Sequence, residues 1–166
     1  MKGISKKEIE IISSLEFNQN YFFKTEDIEK FTENKTQRYN IIKNLIQKKR
    51  IIKLNKNKYY LIPIKAKSGK WTEHPFIIAD EILNSKDYVI GGWAAANYYK
   101  LTNQIPMQID IWTTKKQGKF IILNNRFIFH RSTKNKVNNF ITEKIKGHSF
   151  KIFPKEYIKK WIKSKD

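Results

Sequence analysis

Lys35-Thr36-Gln37-Arg38-Tyr39-Asn40-Ile41-Ile42-Lys43-Asn44-Leu45-Ile46-Gln47-Lys48 is followed, after Lys49-Arg50, by Ile51-Ile52-Lys53-Leu54, Asn55-Lys56-Asn57-Lys58 and Tyr59-Tyr60-Leu61-Ile62. In the first block Ile42, Leu45 and Ile46 recur at helical spacing, which predicts a helix over residues 35–48 with these three, and Tyr39 beside them, on its buried face. The two short runs rich in β-branched and aromatic residues, parted by four Asn and Lys, predict a β-hairpin. This is also the most one-sided part of the chain in charge. Residues 34–72 hold twelve basic residues and no acid, whereas residues 1–33 hold seven acids.

Working outward toward the N-terminus, Ile4, Ile9, Ile12 and Leu15 bracket an amphipathic helix of about three turns. Ser5 with Glu8 three residues on matches a capping box at its start. A second, short helix is expected from Thr25, whose hydroxyl would cap it, to about Phe31, with Glu26 and Asp27 at the positive end of its dipole. Thr32-Glu33-Asn34 reads as a turn. Helix, helix, helix, hairpin is the order of a winged helix-turn-helix, expected over residues 1–64.

Toward the C-terminus, Pro63 stops the last strand, and the polar, small and basic residues 65–72 read as a linker. Residues 73–166 then predict a small α+β domain. A helix starts near Pro75 with Phe76, Ala79, Ile82 and Leu83 buried; the strand Tyr88-Val89-Ile90 leads through Gly91-Gly92 into a second helix over residues 93–99. Strands at 108–113, 120–123 and 126–130, joined by turns at 115–118 and Asn124-Asn125, suggest an antiparallel β-meander. A last helix spans about 155–163.

Composition narrows the class. With 166 residues, 40% hydrophobic and 14% aromatic, the chain has enough apolar material for packed cores, so global disorder is excluded. No run approaches the ~18 apolar residues of a membrane span, and the first eight residues run into charge, so a cytoplasmic protein without membrane contact is expected. Cysteine is absent, and His74, His130 and His148 stand too far apart for a local ligand motif; neither a structural metal nor a cofactor is expected. The net charge of +19 favours a polyanionic partner. Thirty of the 34 basic residues are Lys, accompanied by 27 Ile and 15 Asn, a usage that an A·T-rich coding sequence produces on its own. The placement of charge in residues 34–72 therefore says more than its total.

On the predicted third helix Gln37, Asn40, Asn44 and Gln47 are spaced 3, 4 and 3 apart and share one face. Side-chain amides can donate to N7 and accept from N6 of adenine, so this face suits double-stranded DNA, with an operator rich in A·T pairs. Thr36, Gln37 and Asn40 are the candidates for base contact, Lys43 and Asn44 for phosphate, and Arg38 for either. Lys53, Lys56 and Lys58 of the hairpin suit phosphate or minor-groove contact. An exposed helix face is polar in any case, so a plain solvated surface is the second reading.

In the second part, Gly91-Gly92 between strand and helix, with Asp110 in Ile109-Asp110-Ile111-Trp112, resembles the nucleotidyltransferase pattern, in which paired carboxylates hold Mg²⁺. Position 112 is Trp, and the second carboxylate is missing. A degenerate or active nucleotidyltransferase-like enzyme is thus the alternative, and no catalytic residue is assigned.

The segment Tyr88-Val89-Ile90-Gly91-Gly92-Trp93-Ala94-Ala95-Ala96-Asn97-Tyr98-Tyr99-Lys100-Leu101-Thr102-Asn103-Gln104-Ile105-Pro106, together with residues 108–114 and 126–131, resembles the AbiEi family of antitoxins and transcriptional regulators of type IV toxin-antitoxin systems. Leu101-Thr102-Asn103-Gln104-Ile105-Pro106 is its most specific part. The resemblance implies a winged-helix head that represses its own operon and a second domain, residues 73–166, that carries antitoxin activity, here C-terminally short. It further implies a functional link to a nucleotidyltransferase toxin and a role in phage defence. Lys49 stands where that family usually carries a glycine between recognition helix and wing.

Overall fold

Ser5 opens α1 (Lys6–Phe17) with the expected reciprocal cap: the Ser5 amide donates to Glu8 Oε2 (2.6 Å) and the Glu8 amide to Ser5 Oγ (3.3 Å). A computed structural model of the chain describes residues 3–64 and 73–165. It divides into two compact units, Met1–Trp71 and Thr72–Asp166. The expected linker, residues 65–72, lies outside the described residues. The fold class is α+β, with seven helices and two sheets among the described residues.

In the first unit, β1 (Phe22–Lys24) follows α1 and was not expected from sequence. The next helix, Thr25–Phe31, is 3-10 rather than α. Its cap also differs: the Asp27 carboxylate, not the Thr25 hydroxyl, accepts the amide of Lys24 (2.7 Å). A seven-residue element that buries only Ile28 gains little from the longer α-helical ladder, and short pieces are where 3-10 geometry is found.

Asn34 caps α2 (Lys35–Gln47), its Oδ1 accepting the Gln37 amide (2.9 Å), while Gln37 Oε1 accepts the Glu33 amide (2.8 Å). Lys49 closes the helix in the left-handed region (φ 55°), and the Arg50 amide returns to the Leu45 carbonyl (2.9 Å). That is the closure glycine normally supplies, here carried by a lysine. The hairpin β2 (Ile51–Lys53) and β3 (Lys58–Leu61) follows as expected, its turn held by Asn55 Oδ1, which accepts the amides of Asn57 and Lys58. β1 adds to the far side of β3, giving an antiparallel sheet in the order β1-β3-β2. Ile11, Ile12, Leu15, Phe23, Ile28, Ile41, Ile42, Leu45, Ile51, Tyr59 and Leu61 form one core.

The second unit carries a six-stranded mixed sheet. Pro75 starts α3 (Pro75–Leu83), whose Phe76, Ala79, Ile82 and Leu83 are buried as expected. Then come β4 (Tyr88–Gly91), α4 (Gly92–Tyr98), β5 (Ile109–Thr113), β6 (Gly118–Ile122), β7 (Asn125–Arg131), α5 (Lys134–Val137), β8 (Ile141–Ile145), β9 (His148–Ile152) and α6 (Lys155–Lys163). The strand order is β6-β7-β5-β4-β9-β8.

The antiparallel meander is not what forms. β6 and β7 make the expected hairpin, with Leu123 and Asn124 both at positive φ as its two-residue turn requires, but β7 then pairs with β5 in parallel. Burial explains the exchange. Ile109 and Ile111 of β5 and Phe127 and Phe129 of β7 are core residues, whereas β6 keeps Phe120 and Ile121 exposed, so β7 takes the interior position and β6 the edge. β8, α5 and the edge role of β6 were not read from sequence.

Candidate nucleic-acid interface

The core stripe of α2 is Arg38, Ile41, Ile42 and Leu45. This is a rotation from the expected one: Tyr39 (67% exposed) and Ile46 (38%) stand outside the core, and Ile41 is inside it. The rotation leaves Lys35, Thr36, Asn40, Lys43, Asn44 and Gln47 exposed on the solvent side, with Gln37 half-buried at the first turn. Gln37 Oε1 is used on the Glu33 amide, so its Nε2 is the group available to donate outward.

Arg38 belongs to the other side of the helix. Its Nη2 sits 2.6 Å from Glu29 Oε1 and its Nε donates to Thr32 Oγ1 (3.2 Å), and the side chain is buried. The guanidinium ties α2 to the 3-10 helix, and the geometry takes it out of the exposed set. Lys48 at the C-cap is likewise committed: its Nζ lies 2.7 and 2.6 Å from Glu8 Oε1 and Oε2. Burial pushes the Glu8 carboxyl up, but the Lys48 ammonium and the Ser5 amide and hydroxyl outweigh that and hold it below the ordinary glutamate value. Arg50 donates from Nη2 to the Ile62 carbonyl (3.1 Å).

On the hairpin Lys53 and Lys56 are exposed and Lys58 is half-buried beside Asn55. A groove of about 360 Å³ separates the start of α2 from the hairpin; Lys35, Tyr39, Lys53 and Lys56 border it, with Glu26 its one acid. The expected set is thus sorted into three: Thr36, Gln37, Asn40, Lys43 and Asn44 on the outer part of α2, Lys53, Lys56 and Lys58 on the hairpin, and Arg38 inside.

In the second unit the fold joins polar groups that are distant in sequence. Asp80 Oδ1 accepts the Tyr88 hydroxyl (2.6 Å), and Asp80 Oδ2 accepts Ser85 Oγ (2.7 Å) and His148 Nε2 (3.0 Å). Burial first, and then the Asp80 carboxylate, push the Tyr88 phenol well up. Asp80, Glu81 and His148 each bring a ligand-type atom within 4.8 Å of the others, a grouping of the kind that holds a divalent cation. Protein donors already use both Asp80 oxygens, so the cluster is first of all a hydrogen-bonded link between α3, β4 and β9.

Asp110 accepts His130 Nε2 (2.7 Å) and Gln108 Nε2 (3.3 Å), and packs against Gly92. Gly92 has φ +62°, and a Cβ there would stand 2.9 Å from Asp110 Oδ2; a Cβ on Gly91 would stand 2.6 Å from Trp112 Cζ3. Both glycines are therefore required by the turn and its packing. No protein-family model and no curated protein matches the chain.

What sequence reading missed at the sites is the pairing of two of the three histidines with a carboxylate, His130 with Asp110 and His148 with Asp80. The first pair could have been anticipated only from the parallel register that sets Asp110 beside Ile128 and Trp112 beside His130. No helix of the described residues is long and apolar enough to cross a membrane.

Proposed function

We propose that residues 1–64 form a winged helix-turn-helix that binds double-stranded DNA, with α2 as recognition helix and the β2–β3 hairpin as wing. One observation carries this reading: the amides of Asn40, Asn44 and Gln47, with Gln37 at the first turn, share the solvent side of a helix anchored from behind by Ile41, Ile42 and Leu45, next to a hairpin bearing Lys53 and Lys56. An α-helix fits the major groove, and amide side chains suit adenine edges there. The likeness of residues 88–106 to the AbiEi family extends the proposal. The chain is then a transcriptional autorepressor, acting in the cytoplasm, with antitoxin ancestry and a functional link to a nucleotidyltransferase toxin. The alternative, a nucleotidyltransferase-like enzyme, is not favoured, because Asp110 is engaged by His130 and Gln108 and its strand neighbour on the same face is Trp112.

The test is fluorescence anisotropy on the promoter fragment upstream of the chain's own gene and on random duplex of equal length. Lys35, Lys43, Lys53 and Lys56 give about four phosphate contacts, so log affinity should fall with log salt at a slope of about −4. Asn40→Ala should narrow the preference for the promoter by about 1–3 kcal/mol. Lys56→Ala should weaken both duplexes equally. No duplex binding at low salt, or equal loss of both duplexes with Asn40→Ala, overturns the reading.

A further inference from the structure

The strand register places Asp110 and Trp112 of β5, Arg126, Ile128 and His130 of β7, and Lys119 and Ile121 of β6 on one face of the second unit's sheet. The opposite face of the same strands is core: Ile109, Ile111, Phe127 and Phe129 are buried. The first face is not. Ile128 and Trp112 are half-buried, Ile121 is 72% exposed, and Lys119 and Arg126 are exposed.

At the C-terminal end of β7 stands a ring held from two directions. His130 stacks on Trp112 with centroids 4.7 Å apart and planes 23° apart, its Nε2 is fixed by Asp110 at 2.7 Å, and the side chain is still 39% exposed. Lys136 Nζ sits 5.1 Å from the Trp112 centroid. Of the side chains that the register puts on this face, Asp110 is the one carboxylate, and it is buried against His130 and Gly92.

We propose that this face binds single-stranded nucleic acid, with a base stacked on His130 and the backbone running past Lys119, Arg126 and Lys136. Three features together choose this occupant. The backing by Trp112 and the bond to Asp110 fix the imidazole before any ligand arrives, so little side-chain freedom is lost on stacking. An unpaired base offers a planar partner for such a ring, whereas a duplex keeps its bases stacked inside. The cations stand at the margins of the apolar strip formed by Ile128 and Ile121, where a backbone would run while its bases lie on the strip. Adjacent strands are about 4.8 Å apart, and with the β5 side chains of this face covered, β6 and β7 give a surface for roughly one or two bases. An acidic peptide would use the cations and leave the fixed ring without a partner. The inference stands independently of the duplex-binding role of the first unit, since the two use different residues.

The experiment uses the full chain and two fluorescein-labelled probes, dT12 and U12, followed by anisotropy at low salt. Tighter binding of one probe names DNA or RNA as the source, and either supports the proposal. Lys119→Glu combined with Arg126→Glu, both exposed positions, should weaken the single-strand probes at least tenfold and leave promoter duplex binding unchanged. His130→Ala should weaken them about 5- to 100-fold, as for one lost stack, and His130→Phe, which keeps a ring without the bond to Asp110, should restore most of the loss. Near-UV circular dichroism of each variant shows that the second unit is folded. In the first unit, Asn40→Ala with Lys56→Ala should spare the single-strand probes. The proposal is overturned if neither probe binds, if the charge-reversed variant binds as well as wild type, if single-strand binding is lost only with the first-unit variant, or if poly-glutamate displaces the probes as readily as unlabelled oligonucleotide.

Discussion

Replacing Lys48 by Ala should destabilise the first unit by about 3 kcal/mol, because it strands the Glu8 carboxylate. The two side chains are 14% and 3% exposed, and the ammonium touches both carboxylate oxygens. Breaking one partner of such a buried pair costs about 3–5 kcal/mol, and the lower end applies since the Ser5 amide still donates to Glu8. For a unit of about 60 residues, whose whole stability is roughly 3–9 kcal/mol, that is a drop of some 12–24 °C in Tm. Lys48→Met with Glu8→Gln should recover most of it. The pH dependence has a definite sign. Glu8 in the wild type titrates below its ordinary value, so its contribution is present above about pH 4.5 and is lost as pH falls through the lower folded value. In Lys48→Ala the lowering by the ammonium is gone and only the Ser5 bonds still oppose burial, so the deficit should be largest near neutrality and shrink in acid. Hydrogen exchange of the α1 and α2 amides, with urea melts at pH 7 and pH 4, measures both effects. A Lys48→Ala variant within ~0.5 kcal/mol of wild type at pH 7, or a deficit that does not shrink in acid, would refute the reasoning.

Lys49→Gly should stabilise the same unit by about 0.5–1 kcal/mol in a urea melt, since it relieves a left-handed lysine at the helix end. Gly92→Ala should cost the second unit at least ~2 kcal/mol, from its φ of +62° and the 2.9 Å approach to Asp110, read by tryptophan fluorescence from Trp93, Trp112 and Trp161. Burial, and then Glu143, raise the Tyr99 phenol to about 12, so second-unit stability should decline as pH climbs from about 10, where an unfolded tyrosine ionises, toward 12; Tyr99→Phe should flatten that decline in urea midpoints taken between pH 9 and 11.5. Asp110→Asn should leave duplex binding unchanged, and neither form should transfer label from a nucleoside triphosphate to tRNA or protein; label that appears with wild type and vanishes with Asp110→Asn would favour the enzyme reading.

Local signals were the legible ones. Ser5 and Glu8 mark the start of α1, Pro75 marks α3, and Asn55 to Lys58 mark the hairpin turn, because a cap or a turn is decided by residues within four of each other. The rotation of α2 was not legible to the residue. Ile41, Ile42, Leu45 and Ile46 are all apolar, and periodicity alone allows a stripe centred on either side of Ile42. Tertiary packing decides it: Ile41, Ile42 and Leu45 join the core with Ile11, Ile12 and Leu15, and the same rotation leaves Ile46 outside and brings Arg38 to Glu29. The parallel β5–β7 pairing was hidden for a similar reason. A short Gly-containing loop before β6 reads as a hairpin to β5, while the gain from burying Phe127 and Phe129 next to Ile109 and Ile111 is a property of the finished sheet. β8, with Thr142, Glu143 and Lys144 at its centre and little burial, carries too little apolar alternation to announce a strand.

Fold and sequence differ most over charge. Residues 1–33 look acidic and residues 34–72 basic, and the contrast suggested that the basic stretch as a whole faces a polyanion. Folding brings the two stretches together: Glu8 meets Lys48 and Glu29 meets Arg38, so part of the apparent excess is neutralised inside the unit. Among the described residues of the basic stretch, Lys35, Lys43, Lys49, Lys53 and Lys56 stay exposed, and Lys35, Lys43, Lys53 and Lys56 lie on the amide-bearing helix and its hairpin, which is more directional than the total. The same sorting applies to the second unit. Lys151 donates to the Ser85 carbonyl and Lys116 is pushed down by burial beneath the Phe129 ring, whereas Lys119 and Arg126 are exposed on the sheet face that carries His130. A coding bias can raise the number of lysines everywhere, but it cannot decide which are held by a buried carboxylate and which are left facing water. That partition follows from packing, and it makes the solvent side of α2 and the open sheet face separate, testable surfaces.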